Sequence, residues 1–160
     1  MITLRPLMPA DVPRLRRIWK ENWGDEFLVV RGVVYYPDTL SGFIAFDGHE
    51  CVGEITYTLS NGDCEIVSLD SVREGQGLGT RLIAAVVEEA RQQNCRRVFL
   101  ITTNDNLNAL GFYQKRGFEM VRINRGAVNE ARKIKPSIPL IGMNNIPLRD
   151  EIELEIFLSA

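Results

Sequence analysis

Histidine is almost missing from this chain, which has only His49, and its three cysteines, Cys51, Cys64 and Cys95, lie far apart. That set supplies neither a disulfide framework nor the ligand spacing of a zinc site, so no metal is expected. No apolar run approaches the roughly 18 residues that a membrane span needs. The start, Met1-Ile2-Thr3-Leu4-Arg5-Pro6, has no apolar core and no small-residue cleavage site, so a signal peptide is not expected. A basic excess is lacking as well: 19 Lys and Arg against 21 Asp and Glu leave a net charge of −2, which speaks against a nucleic-acid binder. Internal repeats and Gly/Ser linkers are absent. What is present is an average globular composition, 45% hydrophobic and 25% charged over 160 residues. That is one domain's worth of chain, 1–160, expected to be reduced, soluble and cytoplasmic.

The pattern of turns and periods divides the chain into short elements. Residues 1–5 alternate as a first strand closed by Pro6. Asp11 reads as an N-cap ahead of Val12 and Pro13, and Val12, Leu15, Ile18, Trp19 and Asn22 recur at helical spacing up to Gly24. From Asp25 to Gly42 the valines and tyrosines favour extended chain, with Pro37 as a break. Phe43–Phe46, Cys51–Leu59 and Cys64–Val72 then form three antiparallel strands joined at Asp47-Gly48-His49-Glu50 and Asn61-Gly62-Asp63. A helix follows from Leu78, with Leu82, Val86 and Ala90 on its apolar face, and Asn94 stops it. Arg97–Thr103 is a buried strand, Leu107–Arg116 a helix ended by Gly117, and Phe118–Ile123 a strand. A short helix is expected around Ala127–Lys133. The chain closes on Ile152, Leu154 and Ile156 alternating with Glu151, Glu153 and Glu155, an acidic face expected to meet solvent. The class is α+β, with a mixed sheet.

Gly75-Gln76-Gly77-Leu78-Gly79, between a strand and a helix, offers backbone N–H groups and a helix N-terminus to an anion. Without Gly-Lys-Ser/Thr it is not a P-loop, and the hairpins before it do not build a dinucleotide-binding unit. By itself such a run is often only a turn. Its downstream partner, Asn106-Leu107-Asn108-Ala109 followed by Tyr113 and Gly117-Phe118, adds the needed specificity.

Together the two segments resemble the GNAT superfamily of N-acetyltransferases, in which a strand, a Q/R-x-x-G-x-G/A loop and a helix bind acetyl-CoA. An N-x-x-A-x-x-x-Y-x-x-x-G-F segment forms the second wall. The resemblance covers residues 1–123 in element order. It implies a central mixed, mostly antiparallel sheet, splayed at the cofactor site and flanked by helices. It implies that Leu69, Asp70 and Ser71 pair with the pantetheine arm. Gln76, Gly77, Leu78, Gly79 and Thr80 would take the pyrophosphate, and Asn106 and Tyr113 would complete the set. One position departs from the pattern: Glu74 stands where Gln or Arg is usual, and Arg73 or Arg81 is the expected replacement charge.

The implied chemistry is N-acetylation by direct attack of a primary amine on acetyl-CoA in a ternary complex. An ammonium with pKa near ~10 must lose a proton before it attacks, and the departing thiolate needs a proton or a hydrogen bond. Tyr113 suits the second task, and a core aromatic is the plainer reading of it. Glu65, in Cys64-Glu65-Ile66-Val67, resembles the base glutamate of histone-acetylating members. Glu54, Asp63, Asp70 and ordered water are its rivals. The acceptor is a small-molecule or protein amine, and a non-catalytic acyl-CoA sensor is the alternative function. Trp19, Trp23, Arg31, Tyr35 and Tyr36 come from the region that forms the acceptor wall in the family, and are equally readable as packing aromatics and a surface arginine. The extended segment 124–150 before the last strand is expected to fold over the acceptor end, with a structural flap or a homodimer contact as the plainer roles.

Overall fold

The computed structural model describes residues 1–158, so the last two positions of the 1–160 domain expectation lie outside the described residues. In chain order the elements are β1 (Ile2–Pro6), α1 (Val12–Trp23), β2 (Leu28–Val30), β3 (Val33–Tyr35), β4 (Ser41–Asp47), β5 (Glu50–Ser60) and β6 (Asp63–Ser71). These are followed by α2 (Leu78–Gln92), β7 (Arg97–Thr103), α3 (Leu107–Lys115), β8 (Glu119–Asn124), α4 (Ala127–Ile134) and β9 (Glu151–Phe157). The fold is α+β, with mostly antiparallel strands and flanking helices. Among the described residues no helix is long and apolar enough to cross a membrane.

Two compact units divide the chain. The first takes Met1–Leu15, Pro37–Val98 and the end from Phe157, and contains the strand order β1-β4-β5-β6, each pair antiparallel. Helix α2 covers one face of it. The spacing Leu78, Leu82, Val86, Ala90 puts one apolar residue per turn on a single stripe, and all four are buried. Asn94, in the left-handed region at φ 57°, ends the helix where the sequence placed the stop.

Two bulges bend this sheet. Between β4 and β5 the register passes from Ala45↔Gly53 to Phe46↔Cys51, leaving Val52 as an extra residue. Between β5 and β6 it passes from Thr56↔Ser68 to Tyr57↔Ile66, leaving Val67 as an extra residue. A bulge resets which side chains share a face.

Asp11 does not cap α1 as expected. It ends a 3-10 turn, Pro9–Asp11, and reaches backward to accept Met8 N at 2.8 Å and both Arg5 guanidinium nitrogens at 2.7 and 2.8 Å. The Arg5 partner holds its carboxyl below the ordinary value, against the upward pull of burial. A depressed carboxylate adds stability above its unfolded value near ~3.9 and loses it as pH falls through the folded value. Asp11→Ala is therefore expected to cost about 1–2 kcal/mol at pH 7. Urea titrations of both proteins check this, because the gap should narrow at about pH 3.

The second unit takes Arg16–Tyr36 and Phe99–Ile156. Its strands run β7-β9-β8, with β8 and β9 antiparallel, and β2 and β3 form a separate hairpin. Arg31 and Gly32, at φ 52° and 74°, make the two-residue turn of that hairpin, as the right-handed strand twist favours. The acidic face of β9 is covered at Glu151 and Glu153 and half-buried at Glu155. Glu151 and Glu153 are 3% and 5% exposed. The Glu151 carboxylate accepts the backbone N–H of the turn residue Arg31 at 3.2 Å, and Glu153 pairs with Arg122 at 3.6 Å. The period of two is present, but both faces of this strand are covered at its start.

Candidate active site

The glycine run opens α2 as expected. Gly75 and Gly77 have φ of 75° and 71°, a backbone state that L side chains rarely adopt, and no atom lies within 4 Å of a Cβ built on either. Gly77 is the N-cap, so the first N–H groups of α2 have no partner inside the helix, and Glu74, Gln76, Gly77 and Thr80 are exposed around them. Backbone donors at the positive end of a 15-residue helix are a geometry suited to an anion. Leu78 and Gly79 contribute only main chain to it. The Leu78 side chain is 1% exposed and lies in the core.

Glu74 points to solvent, as its charge requires. Of the two arginines that could replace the missing cation, Arg73 is already committed to Asp47 at 3.1 Å and Glu50 at 2.8 Å. Arg81 donates only to the neutral carbonyl of Ile2, at 3.3 Å, so its charge is not cancelled by that contact.

Leu69, Asp70 and Ser71 close β6, half-buried, opposite Ile55, Glu54 and Gly53. A Cβ on Gly53 would stand 3.2 Å from Leu78 Cδ2 and 3.3 Å from Leu82 Cδ1, so Gly53, and with it Ile55 and Tyr57, face α2. Glu54, Thr56 and Thr58 therefore face the other way. So does Glu65, because the bulge at Val67 sets it opposite Thr58. Without that extra residue Glu65 would oppose Leu59 and face α2. Glu65 is 3% and Glu54 0% exposed, two buried carboxylates on one face. The third rival, Asp63, is occupied by Arg96 at 2.9 Å and Arg97 at 3.1 Å.

Two of the three cysteines, Cys64 and Cys95, do not compete for the chemistry. Burial pushes the Cys64 thiol up to about 12, with Cys95 and Glu65 adding to the shift, and burial raises Cys95 too. A thiol held that high is not a nucleophile at neutral pH. Among the described residues no group of His, Cys, Asp and Glu is placed to hold a metal ion.

In the second unit, Asn106 is the N-cap of α3, and its side chain accepts Ala109 N at 3.0 Å. The N-x-x-A spacing is thus first a capping spacing, from N-cap side chain to N3 backbone, which leaves the Asn106 amide NH2 free of that task. Two turns on, Tyr113 is 7% exposed, with Phe112 and Phe118 edge-on at 5.2 and 5.5 Å. From the expected acceptor wall, Trp19 is fully buried and meets Trp23 edge-on at 6.4 Å, while Tyr36 is exposed and its ring packs on Phe27 at 5.8 Å. Arg31 is the hairpin turn residue, stacked over Phe99 at 5.3 Å.

The sequence reading missed how firmly segment 124–150 is tied to the loop before α3. Asn104 accepts Arg149 N and Asp150 N, both at 3.0 Å, and donates to Pro147 O at 2.9 Å. Asp105 is 2% exposed and accepts Met143 N at 2.8 Å. Arg132, from α4, gathers the carbonyls of Ile138, Pro139 and Leu148. Lys135 is buried and donates to Phe27 O at 2.9 Å. Its ammonium is held below the ordinary value by burial, with Asp25 opposing. The short helix expected around Ala127–Lys133 is present as α4.

The profile of the acetyltransferase (GNAT) family matches residues 9–118. YxbD of Bacillus subtilis is 45% identical over 148 residues, 92% of this chain and 92% of that protein. Among solved structures, an IAA acetyltransferase from Bacillus cereus superposes with a TM-score of 0.80 at 20% identity, over 99% of this chain and 100% of that one. A GNAT acetyltransferase from Elizabethkingia anophelis, with acetyl-CoA bound, gives 0.72 at 23% identity over 98% of each chain. The glycine loop, the capped Asn106 motif and the match over most of the chain lead to one conclusion: this protein is a member of the GNAT acetyltransferase family.

Proposed function

We propose that the protein transfers the acetyl group of acetyl-CoA to a primary amine by direct attack, without an acyl-enzyme intermediate. The carrying observation is the open backbone cradle at Gly75–Thr80, continuous with the half-buried end of β6 at Leu69–Ser71. The cradle's donors suit a pyrophosphate, and the half-buried strand end Leu69–Ser71 beside it is where an extended pantetheine arm would run along β6. The donor set belongs to this chain and needs no metal to bind phosphate.

Direct attack is supported by the two buried thiols, Cys64 and Cys95, which burial holds in the protonated form. Glu65 takes the first proton of the ammonium, and Tyr113 supplies a hydrogen bond or proton to the leaving thiolate. Asn106 offers its uncommitted NH2 to the cofactor. These roles come from the motif positions.

The test is a calorimetric titration with acetyl-CoA, followed by a thiol-release assay of the saturated protein against spermidine, kanamycin, free lysine and a lysine-bearing peptide. Micromolar-range binding with CoA release for one amine class is expected, after correction for the protein's own three cysteines. Binding without release for any amine points to the sensor reading, and no binding overturns both.

A further inference from the structure

A two-residue hairpin turn is built most easily from Asn-Gly or Gly-Gly, because both central residues take φ above zero. The β2–β3 hairpin instead places Arg31 at the first of them, at φ 52°. A long side chain is thus kept where the backbone disfavours it, and such strain persists where the surroundings hold it in place. Those surroundings lie beneath the hairpin. The Arg31 N–H donates to the two oxygens of the Glu151 carboxylate, at 3.2 and 3.4 Å. The Arg31 guanidinium stacks over the Phe99 ring, 5.3 Å from its centroid. Glu151 and Phe99 are buried, whereas Arg31 is exposed.

Beyond its turn the hairpin is short and shallow. Its two strands have three residues each and pair with one another, outside the larger sheet. A lone pair of strands is marginally stable at best in water. Leu28, Val29, Val30 and Tyr35 are half-buried, and Arg31, Gly32, Val33, Val34 and Tyr36 are exposed. The hairpin therefore adds no fully buried side chain to the core.

Its base has a clamp of its own. Lys135, the buried C-cap of α4, donates to Phe27 O at 2.9 Å and lies over the Phe27 ring at 5.4 Å. That ring meets Tyr36, at the other end of the hairpin, at 5.8 Å. Phe27 and Tyr36 close the base as Arg31 closes the tip. A segment without fully buried apolar side chains, tied at its ends by polar and stacking contacts, belongs to the part of a structure that opens before the rest.

We propose that the β2–β3 hairpin is a hinged flap, latched at its tip by Arg31 on Glu151 and Phe99 and held at its base by Lys135. Closed, the tip covers the Phe99 ring and the Glu151 carboxylate. Opening breaks the Arg31 contacts and leaves the bond from Lys135 to Phe27 in place. The two buried groups are then uncovered while β7 and β9 beneath them stay folded. Released from its latch, a hairpin this short also loses its own pairing, so its amides report each opening. The flap does not depend on the acetyl-transfer reading, and failure of that reading leaves it untouched.

Hydrogen exchange of the full-length protein, read by NMR residue by residue, tests it without any ligand. The amide of Arg31 and the paired amides of β2 and β3 are expected to share one opening free energy, with protection of about 10-fold to 1,000-fold. Protection in β9 should be far greater. About 1 M urea should speed exchange in β9 and leave the hairpin nearly unchanged, because flap opening exposes little surface. Arg31→Gln keeps a long unbranched side chain in the turn and removes the guanidinium. It is expected to speed exchange throughout the hairpin about 5-fold, with exchange in β9 and the melting temperature unchanged. Glu151→Gln keeps an acceptor for the Arg31 N–H without the charge, and should act in the same direction. Glu151 is buried, so if that variant fails to fold, Arg31→Gln at the exposed turn decides alone.

Hairpin amides that exchange only with those of β9 overturn the flap, since the hairpin would then open only as the sheet unfolds. Wild-type hairpin amides exchanging at the rate of an unfolded chain overturn the latch. Unchanged hairpin exchange in Arg31→Gln does so as well.

Discussion

Alanine at position 142 is expected to lower the melting temperature by roughly 6–12 °C and to weaken acetyl-CoA binding at the same time, although residue 142 is far along the chain from every motif residue. A Cβ there would stand 2.0 Å from Asp105 Oδ2 and 2.7 Å from its Cγ. Asp105 cannot step aside without loss. Its carboxylate accepts Met143 N at 2.8 Å and the Thr103 hydroxyl at 2.5 Å, its carbonyl accepts the Asn144 amide, and it is 2% exposed. Forcing it out combines overpacking with loss of charge-assisted hydrogen bonds, about 3 kcal/mol in all. In a chain of this length that is the stated temperature shift. The affinity loss follows because Asp105 precedes Asn106, whose side chain caps α3 at Ala109 and whose remaining amide is proposed to meet the cofactor. Thermal melts and acetyl-CoA calorimetry on Gly142→Ala check both parts.

The same contacts separate two roles for segment 124–150. A lid that only restricts the acceptor would be removable: without residues 136–145, specificity would change and cofactor affinity would not. Here the deletion also removes the partner of Asp105 and cuts into the carbonyl cluster held by Arg132. It is expected to cost both stability and cofactor affinity. Stable protein with unchanged affinity for acetyl-CoA would restore the lid.

Most of the element order was legible because its signals are local. The hairpin at Asn61-Gly62, the helix from Leu78 and the strand Arg97–Thr103 each follow from turn residues or a period within ten or so positions. The glycine-rich strand-to-helix turn at Gly75–Gly79 was legible for the same reason, since it is a contiguous object. What escaped depends on partners far away in sequence. The extra residue at Val67 carries no sequence signature, yet it alone decides that Glu65 shares a face with Glu54. The contact of Glu54 with Ser68 was hidden in the same way, since the two are 14 positions apart and meet only through strand pairing. The alternation of β9 was read correctly as a strand, but periodicity does not say what covers each face. Glu151 is buried by a hairpin 120 residues earlier in the chain. Asp105 and Asn104 carried no signal in the sequence because their partners, from Met143 to Asp150, occupy a stretch with no period at all.

Tyr113→Phe is expected to lower turnover about 100-fold while leaving acetyl-CoA affinity and stability nearly unchanged. Phenylalanine preserves the ring that Phe112 and Phe118 meet edge-on, so only the hydroxyl is lost, worth under about 1 kcal/mol of folding stability. The size of the catalytic effect follows from the leaving group. A thiolate whose acid has pKa near ~8.5 departs more readily than an alkoxide, so the acid is not asked for the upper end of the 10²–10⁴ range that general catalysis supplies. A phenol near ~10 giving its proton to such a thiolate runs uphill by about 2 kcal/mol in water. The main contribution is therefore a hydrogen bond to the charge that develops on sulfur, strengthened wherever water is excluded. That assignment carries a pH signature. The wild type should lose activity on an alkaline limb as the phenol ionises, and the phenylalanine variant should lack that limb. Equal turnover in the two proteins would return Tyr113 to the role its 7% exposure and two aromatic neighbours already explain, that of a core side chain. The thiolate would then leave without a protein acid, as its own acidity permits.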